Sequence, residues 1–118
     1  VDAGMNDLIR PALYDAWHDI KPEQMRARDT EQVDVVGPIC ESSDFLARDR
    51  VLPVFSRGDL MAVMSAGAYG FTMSSTYNAR PRPAEVMVDE SRYFVVTQRQ
   101  RYEDLLSGQH VPEEIMGR

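Results

Sequence analysis

One cysteine, one lysine, one tryptophan and two histidines are all that the 118 residues hold of these types. The lone Cys40 has no partner for an internal disulfide, and Cys40, His18 and His110 are too few soft ligands for a zinc framework. The fold therefore rests on neither a disulfide nor a metal, and no metal site is expected. Long apolar runs are missing as well. The longest, around residues 60–68, is interrupted by Ser65 and Gly67 and falls well short of the roughly 18–20 residues that cross a bilayer. Positive charge is scarce: thirteen Lys and Arg face nineteen Asp and Glu, a formal net charge of −6, with no basic block to neutralise a phosphate polymer. A membrane span is excluded, and nucleic acid is a poor partner. The opening Val1-Asp2-Ala3-Gly4 has neither an initiator methionine nor a signal-type segment, so the chain is expected to start inside a longer protein.

What is present is the balance of a globular unit, 43% hydrophobic and 27% charged, at a length that suits one domain over residues 1–118. Because Lys21 is the only lysine, the positive charge is almost entirely guanidinium, which suits forked recognition of carboxylates. Genome composition can produce the same bias.

The first segment, residues 5–20, predicts a brief helix with Asn6 or Asp7 as its cap and Pro11 limiting it, then extended chain over residues 16–20. Residues 21–32 are polar and charged and read as an exposed loop. Val33 to Cys40 is rich in β-branched residues and reads as a strand interrupted at Gly37-Pro38, followed by the acceptor-rich loop Glu41-Ser42-Ser43-Asp44. Phe45–Pro53 and Leu60–Ser65 read as two more strands around a turn at Arg57-Gly58-Asp59. Ala66-Gly67-Ala68-Tyr69-Gly70 gathers small residues around one tyrosine. Such a loop permits close backbone approach and unusual dihedral angles, and it is the most site-like stretch of the chain. Glu85–Val88 and Tyr93–Thr97 read as a hairpin, and Tyr102–Leu106 as a short helix. About six strands with turn signals between them predict a small, mostly-β barrel or sandwich with short peripheral helices.

The residues alone single out Arg10 with Tyr14, Cys40 with Glu41 and Asp44, and Tyr69 in its loop. Each also has a plainer reading. Arg10 and Tyr14 lie one helical turn apart and could face the same carboxylate, although such a pair on a helix surface is more often simply solvated. Cys40 ends an apolar run, where a free cysteine is usually a small buried hydrophobe, but Glu41 is an odd neighbour for an inert core position. Met61, Met64 and Met73 read as core filling, and His18 as a satisfied or exposed histidine.

Five blocks, in order and at matching spacing, resemble the C-terminal region of the diaminopimelate decarboxylase family. They are residues 2–14 with Arg10-Pro11-Ala12-Leu13-Tyr14, residues 37–44 with Cys40-Glu41-Ser42, Gly58-Asp59-Leu60, Ala66–Gly70, and Ser74-Ser75-Thr76-Tyr77-Asn78. The resemblance implies a pyridoxal 5'-phosphate enzyme of the alanine-racemase-like fold. In that fold an N-terminal (β/α)8 barrel, absent here, carries most of the cofactor contacts, and a C-terminal β-domain completes the site. It further implies a cytoplasmic homodimer with active sites at the interface, acting on a small amino-acid substrate: meso-diaminopimelate decarboxylated to L-lysine and carbon dioxide. By position, Arg10 and Tyr14 would bind the distal carboxylate, and Glu41 the distal ammonium group. Tyr69 would approach the cofactor phosphate and the substrate, and Cys40 would be the catalytic proton donor. Ornithine-type relatives carry aspartate where Glu41 stands, and their substrate has no distal carboxylate for Arg10 to bind. Lys21 matches no cofactor-bearing motif, so this polypeptide alone is expected to be inactive. The other readings are a stand-alone β-domain serving as a binding or assembly module and an ornithine- or arginine-type decarboxylase domain.

Overall fold

The structure is a computed structural model and describes residues 1–24 and 27–116. Residues 25 and 26 of the predicted loop, and 117 and 118 of the predicted domain, lie outside the described residues. The order of elements is helix α1 (Arg10–Tyr14), strands β1 (Ile20–Pro22), β2 (Thr30–Val36), β3 (Phe45–Pro53) and β4 (Met61–Val63), then helix α2 (Gly67–Gly70). Two single turns of 3-10 helix follow (Phe71–Met73 and Tyr77–Ala79), then β5 (Glu85–Asp89), β6 (Arg92–Thr97) and helices α3 (Tyr102–Leu105) and α4 (Glu113–Met116). The mostly-β expectation with short peripheral helices is borne out.

The strands hydrogen-bond as three antiparallel pairs: β1 with β4, β2 with β3, and β5 with β6. β1 and β4 align Ile20 with Val63 and Pro22 with Met61, and the ladder is extended outside the strands by Glu23 N–H to Leu60 O at 2.9 Å and Met64 N–H to Asp19 O at 2.8 Å. In the β2–β3 pair, Val33 faces Arg50 but Val35 faces Ala47, so β3 carries one residue more than its partner across this step. Asp49 absorbs the bulge with a left-handed φ of 50°, and its N–H donates to the Asp34 carboxylate at 2.8 Å. The core is small. Leu8, Ile20, Val35, Leu46, Ala47 and Leu52 form the buried cluster, with Val33, Phe55, Met61 and Val63 packed against it. The first four strands and the segment before α1 thus share one apolar interior.

Several boundaries differ from the expectation. β2 begins at Thr30, taking three residues from the predicted loop, because main-chain pairing to residues 51–53 does not require apolar side chains. The same strand ends at Val36, so Ile39 and Cys40 belong to the loop beyond it. α1 begins later than predicted, with Pro11 in its first turn and no side-chain cap. The Asp7 carboxylate instead accepts from the Gly4 N–H at 3.0 Å, closing a turn upstream of the helix. Of residues 16–20 only Ile20 joins a strand. The stretch Gly67–Gly70 is a helical turn, and the left-handed backbone falls on Ser65 just before it (φ 55°) rather than on its glycines. α4 was not anticipated; its acidic first turn, Glu113 and Glu114, suits a helix N-terminus.

The molecule is elongated, 63 × 37 × 28 Å, with a radius of gyration of 17.7 Å. A compact domain of this length would have roughly 13–14 Å. The excess comes from the β5–β6 hairpin and the tail after it. The hairpin is closed at its base by Thr97 Oγ1 donating to Glu85 Oε2 at 2.5 Å, yet Val86, Met87, Val88, Tyr93, Phe94, Val95 and Val96 are all exposed. Neighbours along a strand point to opposite faces, so both faces of the ribbon present apolar groups to solvent.

Two substitutions test this division. Leu46→Ala, at a site 3% exposed, is expected to destabilise the fold by about 2–5 kcal/mol. Val88→Ala, at 70% exposure, is expected to change the stability of the 118-residue chain by about 0.5 kcal/mol or less. Urea unfolding of both variants reads the difference.

Candidate functional site

The chain leading into α1 and the loop between β2 and β3 meet at a buried carboxylate. Asp44, 5% exposed, accepts from the Met5 N–H through Oδ1 at 2.7 Å and from the Ile39 N–H through Oδ2 at 2.5 Å. Ile39 turns inward and is buried, which leaves Cys40 and Glu41, next along the loop, exposed. Cys40 is therefore not the small buried hydrophobe at a strand end that the plainer reading had.

Glu41 faces a cleft of about 500 Å3 whose walls include Met5, Asn6, Ile9, Met73 and Tyr77. The Tyr77 hydroxyl donates to Glu41 Oε2 at 3.4 Å. Tyr77 was not among the residues singled out from the sequence. It sits in a block quoted for the family resemblance, but nothing in its local pattern distinguishes it from any exposed tyrosine. The backbone after it is unusual: Asn78 and Ala79 both have left-handed φ, 57° and 56°, a conformation costly for alanine. The segment is held there by Ser75 N–H to Asn6 O at 2.9 Å and by Arg80 Nη2 to Asp2 O at 2.5 Å. Met73 lines the cleft and Met64 is partly exposed, so of the three methionines taken as core filling only Met61 packs on the core.

Arg10 opens α1 directly after the cleft residue Ile9. Its guanidinium carbon lies 5.2 Å from the centre of the Tyr69 ring, a cation–π contact across about sixty residues of chain. The Arg10 Nε is buried and has no hydrogen-bond partner among the described residues. This unpaired donor belongs to a group built for two-pronged binding of a carboxylate. Tyr14, one turn further along α1, is 61% exposed, and Tyr69 is 59% exposed. The structure thus brings Arg10 and Tyr69 together and places Glu41 with Tyr77, while Tyr14 and Cys40 stand exposed on the two segments that carry these pairs.

The remaining polar candidates are structural. His18 is buried and only half satisfied: Nδ1 lies 3.0 Å from the Met64 carbonyl, while Nε2 has no hydrogen-bond partner among the described residues. Lys21 pairs with Asp19 at 3.1 Å on the surface. Among the described residues no group of three or more His, Cys, Asp and Glu side chains is placed to hold a metal ion, and no helix is long and apolar enough to cross a membrane.

The chain is similar to diaminopimelate decarboxylases of known sequence and structure. It is 59% identical to that of Vibrio cholerae over 89% of this chain and 25% of the relative. With that of Methanothermobacter thermautotrophicus it shares 51% identity over its whole length and 28% of the relative. The crystal structure of diaminopimelate decarboxylase from Helicobacter pylori complexed with L-lysine superposes with a TM-score of 0.84 at 41% identity, covering 100% of this chain and 28% of that one. The M. jannaschii enzyme in co-complex with L-lysine gives 0.88 at 42%, covering 96% and 26%. The chain spans about a quarter of the length of these relatives. Residues 1–67 match the family described as pyridoxal-dependent decarboxylase, C-terminal sheet domain. That match takes in the turn before α1, Arg10, and the whole loop of Cys40 and Glu41, and by it the chain belongs to the C-terminal sheet domains of the pyridoxal-dependent decarboxylases.

Proposed function

We propose that this chain is the C-terminal domain of a diaminopimelate decarboxylase, which converts meso-2,6-diaminopimelate to L-lysine and carbon dioxide in the cytoplasm. The observation that carries the reading is the Arg10 guanidinium beside Tyr69, with its Nε unpaired, one residue from a cleft that Glu41 faces. A guanidinium and a carboxylate supplied by this domain, Arg10 to the site of its own chain and Glu41 to the site its loop reaches, match a substrate end that bears both a carboxylate and an ammonium group. The named relatives support the same substrate, and two of their structures hold L-lysine, its decarboxylation product.

In this reading Arg10 grips the distal carboxylate through its two-pronged donor set, and the exposed Tyr14 hydroxyl adds a third donor to the same end. Glu41, oriented by Tyr77, accepts from the distal ammonium group. Together they fix which end of a nearly symmetric substrate reaches the reacting centre. Pyridoxal phosphate, when bound, takes up the electron pair left as carbon dioxide departs. Tyr69 is suited to hold it: its phenol is exposed and can donate to a phosphate oxygen. The single lysine is engaged with Asp19 on the surface, so the cofactor-bearing lysine belongs to a preceding barrel. Cys40, exposed at the tip of an anchored loop, delivers the proton that replaces the lost carboxylate on the substrate carbon. The working unit is a homodimer in which this loop reaches the partner's site. The uncovered hairpin supports a domain that lives against other protein surface.

The test uses the enzyme that carries this domain. Arg10→Ala is expected to raise KM for meso-diaminopimelate by about 10- to 150-fold, the value of a charged hydrogen bond, with cofactor affinity unchanged. Equal loss of both in a titration overturns the assignment. Cys40→Ala is expected to lower kcat by about 10²- to 10⁴-fold while the cofactor absorbance stays at the parent level. L-Ornithine, which lacks the distal carboxylate, should be turned over poorly by the parent, and a preference for it would favour the ornithine-type reading.

A further inference from the structure

The loop that presents Cys40 and Glu41 contains little that could hold it. It follows a strand end, exposes most of its side chains and has Gly37-Pro38 at its start. Asp44 supplies what is missing. Its Oδ2 takes the Ile39 N–H (2.5 Å), its Oδ1 takes the Met5 N–H (2.7 Å), its carbonyl takes the Gly37 N–H (3.1 Å), and its own N–H donates to the Glu41 carbonyl (3.1 Å). Cys40 and Glu41 are therefore bracketed: the residue before them and the carbonyl at their end are both bound to Asp44. The same carboxylate reaches across to the turn that leads into Arg10.

The packing around this carboxylate leaves no slack. A Cβ added at Gly37 would lie 2.5 Å from both carboxylate oxygens and 2.6 Å from the Gly4 Cα, and one at Gly4 would lie 2.9 Å from Asp44 Oδ1. Among the described residues no Lys, Arg or His forms an ion pair with Asp44. A carboxylate taken almost wholly out of water is satisfied here by backbone N–H groups. Its partners are main chain, so it fixes where the backbone runs.

We infer that Asp44 is a positioning residue for the decarboxylation. Its buried carboxylate ties the Cys40–Glu41 loop to the Met5 turn and so fixes the backbone from which the proton donor and the ammonium acceptor are presented. The inference rests on the reading above, in which Cys40 and Glu41 act on substrate. Asparagine has the same shape but cannot serve at both oxygens, because its amide nitrogen would point hydrogens at a backbone N–H. Space filling alone tolerates that change, and the tie does not.

The experiment is Asp44→Asn in the cofactor-loaded full-length enzyme, with kcat and KM for meso-diaminopimelate taken per loaded site and amide hydrogen exchange followed over residues 5 and 37–44. The expected result is a fall in kcat/KM of about ten-fold or more at unchanged cofactor absorbance, with faster exchange at the Met5 and Ile39 amides. In a Cys40→Ser, Glu41→Gln background the same change should cost less than about two-fold, since the groups being positioned are already gone. A kcat/KM within two-fold of the parent, or an equally large effect in that background, overturns the role. Failure of the underlying reading looks different: Glu41→Gln and Cys40→Ser by themselves would leave kcat/KM unchanged, and the inference would fall with it even if exchange quickened. Should Asp44→Asn not assemble, Gly37→Ala, which crowds both carboxylate oxygens, is read in the same assays with the same expected and overturning results.

Discussion

The backbone tie at Asp44 is the constraint on which the arrangement of the candidate site depends. Two segments almost forty residues apart, the turn before α1 and the loop after β2, have no strand pairing between them. They are joined by a carboxylate that accepts from one main-chain N–H in each. Burying such a group is costly unless its acceptors are filled, and filling them from main chain leaves little freedom in either segment. Gly4 and Gly37 follow as a consequence, since a side chain at either position would occupy the volume the carboxylate needs.

A second constraint is how little of the chain buries itself. The apolar interior is confined to the first four strands and Leu8, and the hairpin and tail contribute nothing to it. Main-chain pairing keeps β5 and β6 together, but the faces of the ribbon remain apolar and wet, an arrangement that suits a domain whose other surfaces are supplied by further protein. The candidate site has the same character. Exposed Tyr69 and exposed Cys40 face outward from an anchored base, and the Arg10 guanidinium lies against the Tyr69 ring with its buried Nε unpaired among the described residues. The rigid part of the site is its backbone, and the reactive part is what that backbone holds out.

Much of the fold was legible locally. Alternation and β-branched residues marked β2 to β6, while Lys21 and Pro22 of β1 fell in the predicted loop, and the hairpin at residues 85–97 was read nearly to its boundaries because its turn and strands are contiguous. The errors fall where long-range pairing decided. Thr30, Glu31 and Gln32 look like loop, and become strand only because residues 51–53 lie alongside. Asn6 and Asp7 look like helix caps, yet Asp7 closes an earlier turn. Met73 looks like core and lines a cleft, because a methionine's environment is not written in its neighbours.

For the site, the sequence by itself determined the residue types and the family. Arg10-Pro11-Ala12-Leu13-Tyr14 and Cys40-Glu41-Ser42 are specific enough as strings to name a resemblance, and a match over residues 1–67 agrees with it. Only the tertiary structure decided who meets whom. It set Arg10 on the Tyr69 ring, gave Glu41 the hydroxyl of Tyr77, and turned Asp44 from one acceptor among several into the anchor of the loop. The physical reason is that local pattern reports a residue's preference for helix, strand or turn. A contact between side chains tens of residues apart is settled by how the strands pair and which backbone groups remain to be satisfied.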